Sequence, residues 1–279
     1  DSACQGISEQ LSGAAPDLTV VFVSPHHVES SDALAAKIRQ KLGAGTLIGC
    51  SGETVIGGSE EVEDAPALSL WSAILPHATL EPFQVEFRRT PDGIASSGYP
   101  EPPDNTSDVR LILFLGEPFT TPPDSVIERM SEDYPGAPIV GGMASSTRHP
   151  GSNRLFLNDG SFRKGGVGVV VHGGPRVRSI VSQGCRPIGT TGVITKADEN
   201  IVLGLGGAPP LKKFAELFAT LSEHDQQLAK NGLHLGLAMD EYKDSFGRGD
   251  FLISNVIVAD SEKGALAVGN YVRVGQTAQ

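Results

Sequence analysis

The sequence predicts an α/β protein in which duplicated strand–helix–strand units build one or more mixed sheets, with a smaller α/β module at the C-terminal end. Three observations carry that expectation. "VVFVS", from Val20, and "ILFLG", from Ile112, align at an offset of 112 − 20 = 92 residues, and the same offset lays "LIGCS", from Leu47, over "IVGGM", from Ile139, without a gap. Between these runs each half carries large apolar residues four apart, Leu34, Ile38 and Leu42 in the first and Val126, Met130 and Tyr134 in the second, the spacing of one helix face. After residue 182 the texture changes to short apolar runs separated by turns.

Each half reads as strand, helix, strand. Ser30-Ser31-Asp32 and Thr121-Pro122 supply the helix starts, because hydroxyls cap free amides and proline suits a first turn; "LGAG" and "YPGAP" supply the stops. Strands joined through a helix pair in parallel by a right-handed crossover. A further strand follows in each half, "PALSLWSAILP" and "GGVGVVVHGGP", and the second half adds "RLFLNDGSFR", whose Asn158-Asp159-Gly160 signals a hairpin. Residues 16–182 are thus expected to form one domain of two repeats, 16–89 and 109–182, joined by a Pro-, Gly-, Ser- and Asp-rich linker over 90–108. Residues 183–279 form the smaller module. It holds two short strands around Ala197-Asp198-Glu199-Asn200 and a helix opened by Pro209-Pro210, with Leu211, Phe214, Leu217, Phe218 and Leu221 on one stripe. Strands in "GLHLGLAMD", "GDFLISNVIVAD" and "GALAVGNYVRVGQT" complete it.

Composition excludes several function classes. A chain of 279 residues, 39% hydrophobic and 20% charged, supports a sizeable core. No apolar run approaches the roughly 20 residues of a membrane span, and the first residues lack the basic start and apolar stretch of a secretory signal. A net charge of −11 leaves no basic stripe for nucleic acid. Cys4, Cys50 and Cys185 form a sparse, odd set without C-x-x-C spacing, which argues against disulfides or structural zinc and for a reducing compartment, the cytoplasm or an organelle stroma. The seven histidines show no metal-binding spacing, and "GLGGAPP" lacks the Lys-Ser/Thr of a phosphate-binding loop, so neither metal nor cofactor is expected.

Two stretches are candidate ligand sites. Ligands of α/β units gather beyond the carboxyl ends of strands, where the repeat places two equivalent loops, Gly49-Cys50-Ser51 and Gly141-Gly142-Met143. The same glycines also read as plain turns, with Cys50 and Met143 as core packing. In "SQGCRPIG", Gln183, Gly184, Cys185 and Arg186 offer an amide and a guanidinium that could grip a carboxylate; a surface arginine before Pro187 is the competing reading. Covalent catalysis by Cys50 or Ser51 has less support. "GCSGE" lacks the spacing of a nucleophile elbow, and the second half has Gly142-Met143 at the matched position.

Taken together, "VVFVSPHH", "TLIGCSGETVIGG" and "EVEDAPALSLWSAILP", followed by "SQGCRPIG", "GDFLISNVIVAD" and "GALAVGNYVRVGQT", make the chain resemble the FIST family, with a FIST-N part over residues 16–182 and a FIST-C part over 183–279. The resemblance implies a non-catalytic sensory domain that binds a small molecule, an amino acid or other carboxylate, and reports occupancy. No kinase, cyclase, chemoreceptor or F-box segment is present, which implies a separate output protein, and family members usually run on past "GQTAQ", so a last element is expected to be missing. A structural subunit of a larger assembly and, less favoured, a thiol-dependent hydrolase are the competing functions. Oligomeric state is not legible.

Overall fold

The apolar runs from Val20 and Leu47 form two adjacent parallel strands in the structure, a computed structural model that describes residues 1–91, 93–103, 105–180, 184–243, 245–247 and 249–279. The chain divides into two units, Asp1–Ser179 and Ile180–Gln279.

In the first unit, α1 (Ser2–Gln10) precedes β1 (Leu18–Val23); a 3-10 segment over Pro25–Ala33 leads into α2 (Leu34–Leu42), and β2 (Thr46–Ser51) returns parallel to β1. A hairpin of β3 (Val55–Gly57) and β4 (Glu60–Val62) follows, then β5 (Leu68–Ala73) and a long hairpin of β6 (Ala78–Thr90) and β7 (Gly93–Ser97). The second half repeats the plan: β8 (Val109–Gly116), α3 (Pro123–Asp133) and β9 (Ile139–Met143), parallel to β8. A hairpin of β10 (Leu155–Leu157) and β11 (Gly160–Phe162) and then β12 (Gly166–Gly173) close the unit. The strands form two five-stranded mixed sheets, ordered β11-β10-β2-β1-β5 and β7-β6-β12-β8-β9, with β3-β4 as a separate pair. The hairpin β10-β11 therefore belongs to the second half in sequence and to the first half's sheet in space.

Alternation along the strands explains the layering. Val20, Phe22, Ile48 and Cys50 share one apolar core with Leu113, Leu115, Val167 and Val169, so the two sheets face each other. Val21, Val23 and Leu47 point the opposite way and pack on Ala35, Ile38 and Leu42 of α2 and on Cys4 of α1. Ile112, Phe114 and Val170 likewise meet Val126, Met130 and Tyr134 from the α3 side. The order is helix, sheet, sheet, helix, and each fully buried aliphatic side chain contributes roughly 1.5–3 kcal/mol.

The structure corrects four local expectations. Gap-free alignment sets Val20 over Ile112, but Val20 pairs with Ile48 while the equivalent Val140 pairs with Leu113, so the first strands match at 113 − 20 = 93. A one-residue slip reverses every side chain on a strand, and it is Leu113, not Ile112, that shares the core with Val20. Neither hydroxyl of Ser30-Ser31 caps α2: its cap is Ala33, and Ser31 Oγ donates to the Val28 carbonyl at 2.7 Å. Residues 93–97 of the expected linker are strand β7, paired to β6, and Tyr99 packs against the outer core. Residues 2–10, given no structure from sequence, form α1. The stop at "LGAG" is as expected: Gly43 adopts φ 62° and bonds back to Arg39 and Gln40.

The second unit is built on β13 (Gly192–Asp198), β14 (Ile201–Leu205), α4 (Pro210–Phe218), α5 (Glu223–Asn231), β15 (His234–Ala238), β16 (Phe251–Asp260), β17 (Ala265–Val268) and β18 (Thr277–Ala278). The strands close into a barrel ordered β13-β14-β17-β16-β15-β18, antiparallel throughout. Ile194, Val202, Leu235, Leu237, Val268 and Ala278 fill it. Closure leaves no bare sheet edge, and it depends on β18 bridging β13 and β15. No described helix is long and apolar enough to cross a membrane.

Candidate functional site

The two stretches expected as loops lie within strands instead, Gly49-Cys50-Ser51 at the end of β2 and Gly141-Gly142-Met143 at the end of β9, and the chain meets just past these ends. Ser145 N–H donates to the Ser51 carbonyl at 3.0 Å, and Ser146 Oγ is hydrogen-bonded to Ser51 Oγ at 2.7 Å. Between the sheets beside them lies a cavity of about 340 Å³, lined by Val20, Phe22, Ile48, Cys50, Leu113 to Leu115 and the β9 stretch from Val140 to Met143. Cys50, Gly141, Gly142 and Met143 thus line one space; Gly49 and Ser51 do not.

Each of these residues has a local explanation. A Cβ on Gly49 would stand 2.9 Å from the Val21 carbonyl carbon and closer still to its oxygen; on Gly141 it would stand 2.7 Å from the Phe114 carbonyl carbon. The repeated glycine therefore lets the second strand of each half press against the first. Gly142 has open space around it. The Cys50 thiol is 5% exposed, and burial pushes its pKa up to about 12, so it is held as the neutral thiol. At the ends of the two strands the amides are committed within the protein, Ser51 N–H to Arg154, Gly52 N–H to Val23 and Ala144 N–H to Gly116, whereas β9 has no neighbour on the side away from β8 among the described residues.

One functional-looking group escaped the sequence reading. Glu117, immediately after β8, is fully buried. Its carboxylate accepts from Thr120 Oγ1 at 2.8 Å, Phe119 N–H at 3.1 Å and Asn153 Nδ2 at 3.3 Å. Asn153 Oδ1 in turn accepts from Ser146 Oγ at 3.0 Å, so a polar chain runs from Glu117 to Ser51 and ties the strand ends of the two halves together. A lone acid at the end of an apolar run gives no sequence signal of this. Nearby, Arg154 is buried and donates to carbonyls of residues 151–153 and, through Nε, to Asp32 at 3.2 Å. The Ser161 hydroxyl, then the Arg154 and Arg163 charges, hold the Asp32 pKa below its ordinary value.

The second unit holds a larger cavity, about 1470 Å³, between the barrel and its helices. Gly184, Cys185 and Arg186 line it, and Gln183 lies outside the described residues. Leu205, Phe214, Leu217, Leu235, Phe251 and Leu266 give it an apolar body. Arg186 Nη2 donates to Asp225 Oδ1, and Asp225 is itself fixed in the first turn of α5, where its N–H donates to the capping Ser222 Oγ at 3.2 Å. Arg186 thus already holds a carboxylate at the cavity.

The FIST N domain family matches residues 17–208, which is more than half of the chain. The protein belongs to the FIST family. The match spans both halves of the first unit and reaches past β14 of the barrel. Among FIST relatives, two proteins of Mycobacterium tuberculosis strains are 37% identical over 271 residues, covering 97% of this chain and 69% of theirs. A Mycobacterium bovis protein is 36% identical over the same shares. All three carry only the description "uncharacterized protein", so these FIST proteins supply kinship and no activity.

Proposed function

We propose that this FIST protein is a non-catalytic sensory domain whose ligand is a small carboxylate with an apolar body, seated in the cavity of Ile180–Gln279. Membership of the family favours a sensory or signal-transduction role. The observation that carries the ligand class is the cavity itself, about 1470 Å³ with an apolar body and the Arg186–Asp225 pair on its wall. Ligand cavities usually measure about 300–1,000 Å³, so this one suits a molecule larger than a single amino acid. Asp225 shows the geometry in which Arg186 takes a carboxylate. A ligand carboxylate exchanging with Asp225 releases the first turn of α5, which gives two arrangements of differing affinity and a signal for a separate output protein. The glycine stretches of the first unit are left out of the anion grip, because the Ser51 and Gly52 amides donate to Arg154 and Val23, while those of Gly141 and Met143 lie in the plane of the sheet and face the outer edge of β9, not the inter-sheet cavity. The buried neutral Cys50 thiol favours this reading over a thiol-dependent hydrolase.

The test is a thermal-shift series with decanoate, decanol and the free amino acids. Decanoate at a hundredfold excess over Kd stabilises by about 2.7 kcal/mol, on the order of 10 °C for a unit of this size, and Arg186→Ala removes most of the shift. A flat response to all probes overturns the proposal; equal shifts with decanol and decanoate remove Arg186 from it.

A further inference from the structure

The internal duplication extends to the two small hairpins, and one of them is out of place. In β10-β11 the pairs are Leu155 with Phe162, Phe156 with Ser161 and Leu157 with Gly160; in β3-β4 they are Val55 with Val62, Ile56 with Glu61 and Gly57 with Glu60. The registers are identical at an offset of 155 − 55 = 100. Each hairpin follows the second strand of its half. The later one crosses to the other half's sheet, where β10 runs antiparallel along the outer edge of β2, with Leu155, Phe156 and Leu157 opposite Cys50, Gly49 and Ile48. The earlier one has no such place: among the described residues β9, the counterpart of β2, is laddered to β8 alone.

The bare edge of β9 has the chemistry of a strand acceptor. Backbone groups of alternate residues face the same neighbour in a parallel pair, and the Pro138 carbonyl and the Ala144 N–H bond to β8. Those of Ile139, Gly141 and Met143 therefore face outward, as the groups of Leu47 and Ser51 do where Asn158 and Arg154 meet them. "IVGGM" carries no charge and no proline to protect the edge. The matching hairpin starts beside it: Glu53 N–H donates to Ser145 Oγ at 3.1 Å, two residues beyond the end of β9. It also lies in the right layer. A Cβ on Gly57 would stand 3.4 Å from Ser69 Oγ, and Ser69 pairs with the inter-sheet residue Phe22 and shares its face.

We propose that the outer edge of β9 is a strand-docking site whose occupant is the chain's own β3-β4 hairpin, with Val55, Ile56 and Gly57 opposite Gly142, Gly141 and Val140. Docking gives Ile56 a role: now 64% exposed, it covers the bare Gly141 as Phe156, 1% exposed, covers Gly49. It also closes the β9 side of the inter-sheet cavity, which Val140, Gly141 and Gly142 line. A three-residue strand gains few ladder bonds, so the docked and undocked arrangements lie close in free energy. This inference is independent of the ligand reading of the second unit.

Disulfide trapping tests it. In a Cys185→Ser background, Gly57→Cys with Val140→Cys places two thiols directly opposite at a non-hydrogen-bonded position, about 4.5 Å between Cα atoms, within disulfide reach. Gly57→Cys with Gly142→Cys sets them two residues out of register. Oxidation is expected to close the first pair within the monomer at least tenfold faster than the second. No closure, or equal rates, overturns the proposal, and a disulfide-linked dimer overturns it in favour of a second copy as occupant. Should either variant fail to fold, hydrogen exchange decides: Ile56→Lys is expected to speed exchange at the Gly141 and Met143 amides at least threefold, and unchanged exchange overturns the proposal.

Discussion

Replacing Gly49 with alanine separates a structural from a ligand-contacting role for the repeated glycine. The added methyl would lie 2.9 Å from the Val21 carbonyl carbon and 2.5 Å from Val21 Cγ1, where carbon atoms ordinarily rest about 3.5–4.0 Å apart. Val21 Cγ1 can turn away, but the carbonyl cannot, because it belongs to β1, which is held by β2 on one side and β5 on the other. All six residues of β2 are buried, so the strands must part by roughly 0.6 Å or more inside a packed layer. Overpacking of this kind costs about 1–3 kcal/mol, and weakening two ladder bonds adds about 1–3 kcal/mol. The expected loss is about 2–6 kcal/mol, which lowers Tm by at least roughly 4–8 °C for a unit of this length. Gly142→Ala is the control, since no atom lies within 4 Å of its Cβ position. Urea and thermal melts of both variants check the contrast. A Gly49→Ala protein that melts within about 2 °C of the wild type would refute the close-approach argument.

Four further outcomes follow from the same geometry. Glu117→Ala leaves Thr120 Oγ1 and the Phe119 amide without an acceptor and Asn153 Nδ2 with only its long bond to the Thr147 carbonyl, and is expected to cost about 2–3 kcal/mol in urea melts, with Glu117→Gln losing less because its amide oxygen still accepts. Asp32 has a folded pKa below its unfolded one, so its contribution is present above the unfolded value of about 3.9 and fades as pH falls through the folded value; Asp32→Asn is expected to destabilise at pH 7, with the gap from wild type closing below about pH 4 in pH-dependent melts. Iodoacetamide at pH 8 is expected to label half-buried Cys185 and spare Cys50 until the protein is unfolded, as read by mass spectrometry. Asp225→Ala removes the residue that competes for Arg186 and is expected to tighten decanoate binding; weaker binding in a calorimetric titration would argue against the exchange.

Local patterns made the duplicated core legible, and long-range pairing hid the rest. The 3.6-residue stripes of α2 and α3 and the apolar runs of β1, β2, β8 and β9 are local, and Gly43 ends α2 for a reason visible in one residue. The one-residue slip between halves was not legible, because "VVFVS" and "ILFLG" are apolar on both faces and lack the alternation that fixes register. Barrel closure rests on β18 pairing with β13 across about eighty intervening residues, and a two-residue strand leaves no pattern. Strand β7, "GIASS", is exposed at every position, so nothing distinguishes it from linker. At the candidate sites, the repeated glycines were visible as a pair, yet their closeness to Val21 and Phe114 is a property of strand packing. Arg186 stood out by type, whereas its partner Asp225 is thirty-nine residues away on a helix the sequence reading missed. Glu117 is buried by donors from its own turn and from Asn153, a combination no single stretch announces.

Calorimetric titration with decanoate at several temperatures decides whether Arg186 holds a carboxylate ligand in the apolar cavity of Ile180–Gln279. Saturable one-to-one binding is expected, with a negative heat-capacity change and at least tenfold weaker affinity in Arg186→Ala. No heat of binding at any temperature, or affinity indifferent to Arg186, would contradict it.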